Sequence, residues 1–420
     1  MLRRCQVLYG GLLAAALAAS LSGLEAAVPE LEFDQPPHNY WKHPLRDPVT
    51  RLKADIESGR VELDRTSEKA FLLSLLKVLG IAPSSQLLVF STTSLQLRLI
   101  SPSNPRALYF NEEVYVGFIP GGRLEVVSID PELGGIFYIF DIPRGSERIR
   151  FERSDRCMNC HAGEDTGDIP GLVARSVLPG PSGGSLKAFR GGRTGHGIPL
   201  AERLGGWYVT GEGALTNHWG NLIGQSSPAG PVGRIIRPGT AFDFTRYAAA
   251  TSDVLAHLLH EHQVGFVNRA VQATYLARTC LHEGQGHLTA DHAQILDQCA
   301  ESLVRYLLFA DEVPLPAGGV AGDPLFKQAF LRERRTAAGG ISLKDFDLET
   351  RLFRYRCSYL IYSALFENLP AAVSKEVNKK LRAALDERNA DVNYAYLPRP
   401  ERQAIRRILR ETLPAFASDW

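Results

Sequence analysis

Apolar positions along this chain change their spacing from region to region, and each change predicts a different kind of structure. Residues 48–58 and 66–79 carry apolar side chains at i, i+3 and i+4, the period of short helices, the second stopped by Gly80 and Pro83. Between 87 and 141 the period shortens to brief β-branched and aromatic runs, QLLVF, RALYF, EVYVGFI, RLEVVSI and GIFYIFDI, punctuated by Pro120-Gly121-Gly122 and Asp130-Pro131. That pattern predicts an antiparallel meander. Residues 153–245 lose long periodicity and become dense in glycine and proline, whereas helical spacing returns over 247–280, 288–309, 350–368, 371–388 and 399–412. Pro314, Pro316 and the glycines of 318–322 and 339–340 break that last stretch, and no internal repeat of fixed period is present. The expected fold class is α+β. It divides into residues 28–152 with short helices and the meander, an irregular middle region over 153–245, and an all-helical C-terminal half over 246–420.

Composition narrows the class without changing that picture. With 420 residues, 45% hydrophobic and 22% charged, the chain can bury two or three ordinary cores and still dissolve in water. Its 47 basic and 46 acidic residues cancel to a formal +1 with no block of like charge, which speaks against a nucleic-acid groove. Residues 1–27 show a basic start at Arg3 and Arg4, an apolar run through Leu24 and small residues before Val28, and read as a secretory signal peptide. A retained membrane anchor is the alternative, because Glu25 spoils the usual cleavage pattern; beyond residue 30 no apolar stretch reaches spanning length. The expectation is therefore an exported, periplasmic protein with no transmembrane segment in its mature part.

The residues that carry chemistry are Cys157-Met158-Asn159-Cys160-His161. CxxCH is the pattern of haem c attachment: two thiols with two residues between them reach neighbouring vinyl groups, and the histidine that follows brings its imidazole to the iron. Half of a zinc site, a thioredoxin-like pair and a disulfide hairpin also contain CxxC. The first lacks a second ligand pair, since Cys280, Cys299 and Cys357 are isolated, and the second lacks the strand before and helix after. A single covalent haem c held by Cys157, Cys160 and His161 is the expected cofactor, and it would give the long middle region a surface to pack on. Cys280 and Cys299 could pair in an oxidising compartment, while Cys357 lies in an apolar run and reads as a buried thiol.

The second axial position has fewer candidates than usual. Met1 belongs to the signal and Met158 lies between the attachment cysteines, so methionine ligation from within the chain is excluded. His218 and, second, His196 fall in the glycine-rich segment after the motif and are the candidate sixth ligands, with an open or water-bound site as the other option. Trp207, Tyr208 and Trp219 would be pocket walls. His257, His260 and His262 crowd the helical run HLLHEHQ but lack HExxH, and read as solvated or core-satisfied histidines rather than a second metal site. Gly180-Pro181-Ser182-Gly183-Gly184 matches G-x-S-x-G but its prolines and the missing helix argue against a hydrolase elbow; Gly191–Gly197 reads as turn chemistry.

The segments SQLLVFSTTSLQ (85–96), PRALYFNEEVYVGF (105–118), RCMNCH (156–161), IPGLVARSV (169–177), PLAERLGGWYVTG (199–211) and ISLKDFDLETRLFRYRCSYLIYS (341–363) resemble a family of uncharacterised bacterial exported proteins with one CxxCH, known as cytochrome c domain proteins. The likeness spans most of the mature chain. In that family GGWYVTG leads to Thr-His-Gly and then His-Met-Gly-Asn, where this chain has Gly211-Glu212-Gly213-Ala214 and His218-Trp219-Gly220-Asn221. The resemblance implies haem binding and electron transfer but no particular reaction. The expected function is one-electron transfer with a soluble or membrane-bound redox partner. A haem enzyme with an open distal site, using His196 or His218 as acid/base beside Arg175, Arg193 or Arg203, or a haem-based sensor, is the alternative.

Overall fold

Asp47 starts the first helix. Its side chain accepts hydrogen bonds from the Val49 and Thr50 amides ahead of Pro48, and α1 runs Pro48–Glu57. Ser67 caps α2, Glu68–Val78, which buries Phe71, Leu72, Leu75 and Leu76 and ends at Gly80 with φ of 67°. The computed structural model describes residues 28–417 except 146, 190–192, 226, 229 and 390, so the signal-peptide reading of 1–27 lies outside the described residues.

The meander then appears where alternation predicts it: β1 Leu87–Val89, β2 Arg106–Phe110, β3 Val114–Phe118, β4 Leu124–Asp130, β5 Gly134–Phe140, with β6 Glu152–Arg153 added at the edge. Past it come the one-turn helix α3 (Met158–His161), the hairpin of β7 (Val177–Pro179) and β8 (Ser185–Ala188), β9 (Trp207–Tyr208), and a second hairpin of β10 (Leu222–Gln225) and β11 (Val232–Ile235). The middle region is thus less irregular than its composition suggests. Its β9 joins the main sheet, giving seven antiparallel strands in the order β6-β5-β4-β3-β2-β1-β9. The Gly180–Gly184 segment is the turn between β7 and β8 and no helix follows it.

Alternation sends the sheet's side chains into two cores. Leu88, Tyr109, Val116 and Val126 face α1 and α2, while Leu87, Val89, Phe110, Tyr115, Ile129 and Trp207 face the C-terminal helices. The central element of that second layer is α4, Val254–Glu283, in which every residue from Val254 to Asn268 is buried. It begins seven residues later than its apolar spacing predicts (254 against 247), because Asp253 caps it through the Leu255 amide. Then follow α5 (Ala290–Leu307), α6 (Pro324–Leu331), α7 (Ala364–Glu367), α8 (Ala371–Leu385) and α9 (Arg399–Thr412).

Of the predicted helix over 350–368 only the last part is helical, a 3₁₀ turn at Tyr359–Tyr362 followed by α7. Asp347 Oδ1 accepts from the amides of Glu349, Thr350 and Arg351, Leu348 adopts φ of 62°, and Phe346 bridges to Phe353 across the resulting turn. Apolar residues there are spaced by packing, not by helical period. Helices dominate the C-terminal half, separated by long extended and turn segments. Among the described residues no helix is long and apolar enough to cross a membrane.

Candidate functional site

A turn of 3₁₀ helix at Asp155–Cys157 runs directly into α3, so the CxxCH motif is helical throughout. On a helix, residues three apart share a face. Cys157 and Cys160 accordingly line one cavity together with His161, while Met158 turns the other way into the core of α1 and α2. Both cysteines are thiols; burial pushes the Cys157 thiol above its ordinary pKa, and Cys160 is exposed.

His161 is held at two points by one residue. The Gly171 amide donates to the His161 carbonyl at 2.8 Å, and His161 Nδ1 lies 2.9 Å from the Gly171 carbonyl oxygen. A carbonyl only accepts, so the proton is on Nδ1 and the lone pair is on Nε2. Burial holds this imidazole neutral, with its pKa pushed down to about 4. The ring leans on Phe137 of β5, centroids 4.4 Å apart. The loop is then fastened to α4, since Asn268 accepts from the Leu172 amide (2.7 Å) and donates to the Leu172 carbonyl (2.9 Å). Gly171 must lack a side chain because a Cβ there would stand 2.7 Å from Asn268 Oδ1.

The cavity encloses about 410 Å³ between the sheet and α4. Its walls are mainly apolar: Leu108, Tyr115, Val127 and Phe137 from the sheet, Leu172 and Val173 from the loop, Trp207 from β9. Gly117 leaves a gap in the floor; a Cβ would stand 3.3 Å from the Glu125 carbonyl oxygen and 3.7 Å from Arg106 Cδ. Arg106 crosses this gap to Glu125, 2.9 Å away, and Glu125 also accepts from Ser94 and Gln96. Arg106 Nε is buried with no acceptor among the described residues. Arg156 and Arg175 also line the cavity, and Arg175 is paired with Asp165. Exposed Leu95, Leu97 and Cys160 mark its open side.

Neither candidate sixth ligand lines this cavity. His218 Nδ1 accepts from the Gly220 amide at 2.9 Å, and its Nε2 faces Glu212 at 3.6 Å. His196 is stacked between aromatic rings behind α4, its Nδ1 2.8 Å from His262 Nδ1, and burial holds it well below the ordinary histidine pKa. The imidazole that does line the cavity, besides His161, is His260 of α4. It belongs to the crowded run HLLHEHQ. His257 bonds to Ser252 and the Tyr208 carbonyl, His262 bonds to Ser358, and His260 is buried with them.

Of the expected pocket walls, Trp207 lines the cavity, Tyr208 lies in the opposite core and Trp219 stacks on Phe189. Of the arginines, Arg175 lines it while pairing with Asp165; Arg203 is buried against Glu261 at 3.3 Å, and Arg193 pairs with Glu202 at the surface. Cys280 and Cys299 are thiols on α4 and α5. Among the described residues no three His, Cys, Asp or Glu side chains converge as a metal-ion site. A haem iron needs only one or two ligands from protein, because the porphyrin supplies four.

The chain matches no family model, no curated protein and no solved structure.

Proposed function

We propose that this protein is an exported monohaem c-type cytochrome that passes single electrons between periplasmic redox partners. The observation that carries the reading is convergence: two thiols on one helical face and a neutral imidazole with its Nε2 lone pair unprotonated all line one largely apolar cavity. Each residue fits the group. Every thiol can add its S–H across a vinyl double bond, sulfur to one carbon and hydrogen to the other, and Nε2 can bind iron while Gly171 fixes the ring. Arg106 and Arg156 of the lining suit the two propionates, and the unsatisfied Nε of Arg106 is a donor for such an acceptor. The apolar walls given by Leu108, Tyr115, Val127, Phe137 and Trp207 suit a flat ring. Bound there, haem c would supply a one-electron iron couple whose potential the surrounding burial and hydrogen bonds tune.

The family resemblance and the leader at 1–27 support the same reading. A haem enzyme is the weaker alternative, since His196 and His218, its distal acid/base candidates, lie outside the cavity. The test is expression with a haem c maturation system. A c-type pyridine haemochrome at one haem per chain, retained through denaturing electrophoresis and lost in Cys157→Ala/Cys160→Ala, supports the proposal. A chain that matures without covalent haem overturns it.

A further inference from the structure

The register of the sheet sets two imidazoles on either side of one gap. Phe110 pairs with Tyr115, Tyr115 with Val127, and Val127 with Phe137, so these four side chains form one row across β2, β3, β4 and β5 on the face toward α4. His161 rests on the Phe137 end of the row at 4.4 Å. His260 rests on the other end, edge-on to Phe110 at 5.4 Å and to Tyr115 at 5.8 Å. Between them lies Val127, half-buried, facing the cavity. Tyr115 and Phe137 are two strands apart, a separation of roughly 9–10 Å from the spacing of neighbouring strands. That suffices for a flat ring standing on edge above Val127 with an imidazole on each face. Two residues further along β3 the same face carries Gly117, over which Arg106 reaches to Glu125.

We propose that His260 is the second axial ligand of the haem iron, opposite His161, so that the iron is closed by two imidazoles and reserved for electron transfer. The inference rests on the haem reading of the previous subsection. His260 comes from the most buried part of α4, and Trp207 packs on it from β9, so its approach is fixed by rigid elements. The Asn268 clamp lies two helical turns further along α4, so one helix holds the proximal loop and carries the distal ligand.

The test uses the full-length matured protein. The expected wild type is low-spin ferric with two nitrogen ligands by electron paramagnetic resonance, and does not bind carbon monoxide when reduced. His260→Ala should keep one c-type haemochrome per chain, become high-spin, bind carbon monoxide, and return to low spin when free imidazole is added. Should that variant fail to fold, His260→Met keeps the bulk and is expected to raise the reduction potential, as histidine–methionine ligation does. A low-spin His260→Ala, or a loss of low spin in His218→Ala or His196→Ala instead, overturns the assignment while leaving the haem in place. Absence of any haemochrome in the wild type overturns the parent reading itself, and this one with it.

Discussion

Gly171 holds His161 from both sides of its peptide, accepting from the imidazole Nδ1 at 2.9 Å and donating to the His161 carbonyl at 2.8 Å. The pair closes a loop between residues ten positions apart, and its far end is pinned by Asn268, so orientation of the imidazole depends on a side chain more than a hundred positions away (161 to 268).

Asn268→Ala removes both partners of the buried Leu172 backbone. Each unsatisfied group costs about 1–3 kcal/mol, so a loss of about 2–6 kcal/mol in urea unfolding is expected. Asn268→Asp, which can still accept from the Leu172 amide but cannot donate to its carbonyl, should fall between. Equal stability of all three proteins would contradict the clamp.

Gly117→Val fills the gap in the cavity floor. Valine suits a strand, and the neighbours at 3.3–3.7 Å need to yield only slightly, so the apoprotein should keep its circular dichroism spectrum. Haem incorporation, read as the ratio of haem to protein, is expected to fall several-fold. Unchanged loading would mean that no ring lies over this floor.

Gly265→Ala tests the packing of α4. In an ordinary helix this change stabilises by about 1 kcal/mol. Here a Cβ would stand 2.2 Å from the Tyr306 hydroxyl and 2.8 Å from the Gly195 backbone, and Tyr306 is fixed by its bond to the His262 carbonyl. Overpacking should reverse the sign, with a loss of about 1–3 kcal/mol by chemical denaturation. A more stable variant would show that the helix can shift without cost.

Acid should weaken the fold through histidines buried neutral. Burial pushes His38 down to about 4 and His257 down to about 3, against an ordinary 6.5. The unfolded chain therefore takes up protons first. Their contribution is complete above pH 6.5 and is lost as pH falls toward 4, with a slope of up to about 2.7 kcal/mol per pH unit for two protons. Urea midpoints between pH 7 and 4 measure it, and His257→Gln should flatten the slope. A flat wild-type profile would mean that these rings accept protons in the folded state.

Much of the architecture was readable from periodicity. Both early helices and the five strands of the meander fall within a residue or two of their apolar patterns, because each has one local period and a local cap. Failures came where spacing reports something else: buried aromatics at 353, 355 and 359 imitate a helix, and Trp207-Tyr208 is too short to signal a strand that pairs only with distant β1. The CxxCH motif was legible because its five residues are contiguous, and one helical stretch carries them. His260, Arg106, Glu125 and Asn268 were not, since only the folding of α4 against the sheet brings them to the motif. For His260 a signal existed in the crowding of histidines on one run; nothing in a single chain says which of them faces an empty volume.

The roof of the cavity follows its floor in chain order. Val254, where α4 starts, stands 93 positions after His161 (161 to 254), whereas the strands of the floor all precede the motif. A chain emerging from its N-terminus into an oxidising compartment would thus display Cys157 and Cys160 above a finished half-site well before α4 arrives to cover it. On the proposed reading, that emergence would give attachment an interval, with the last long helices closing the site afterwards.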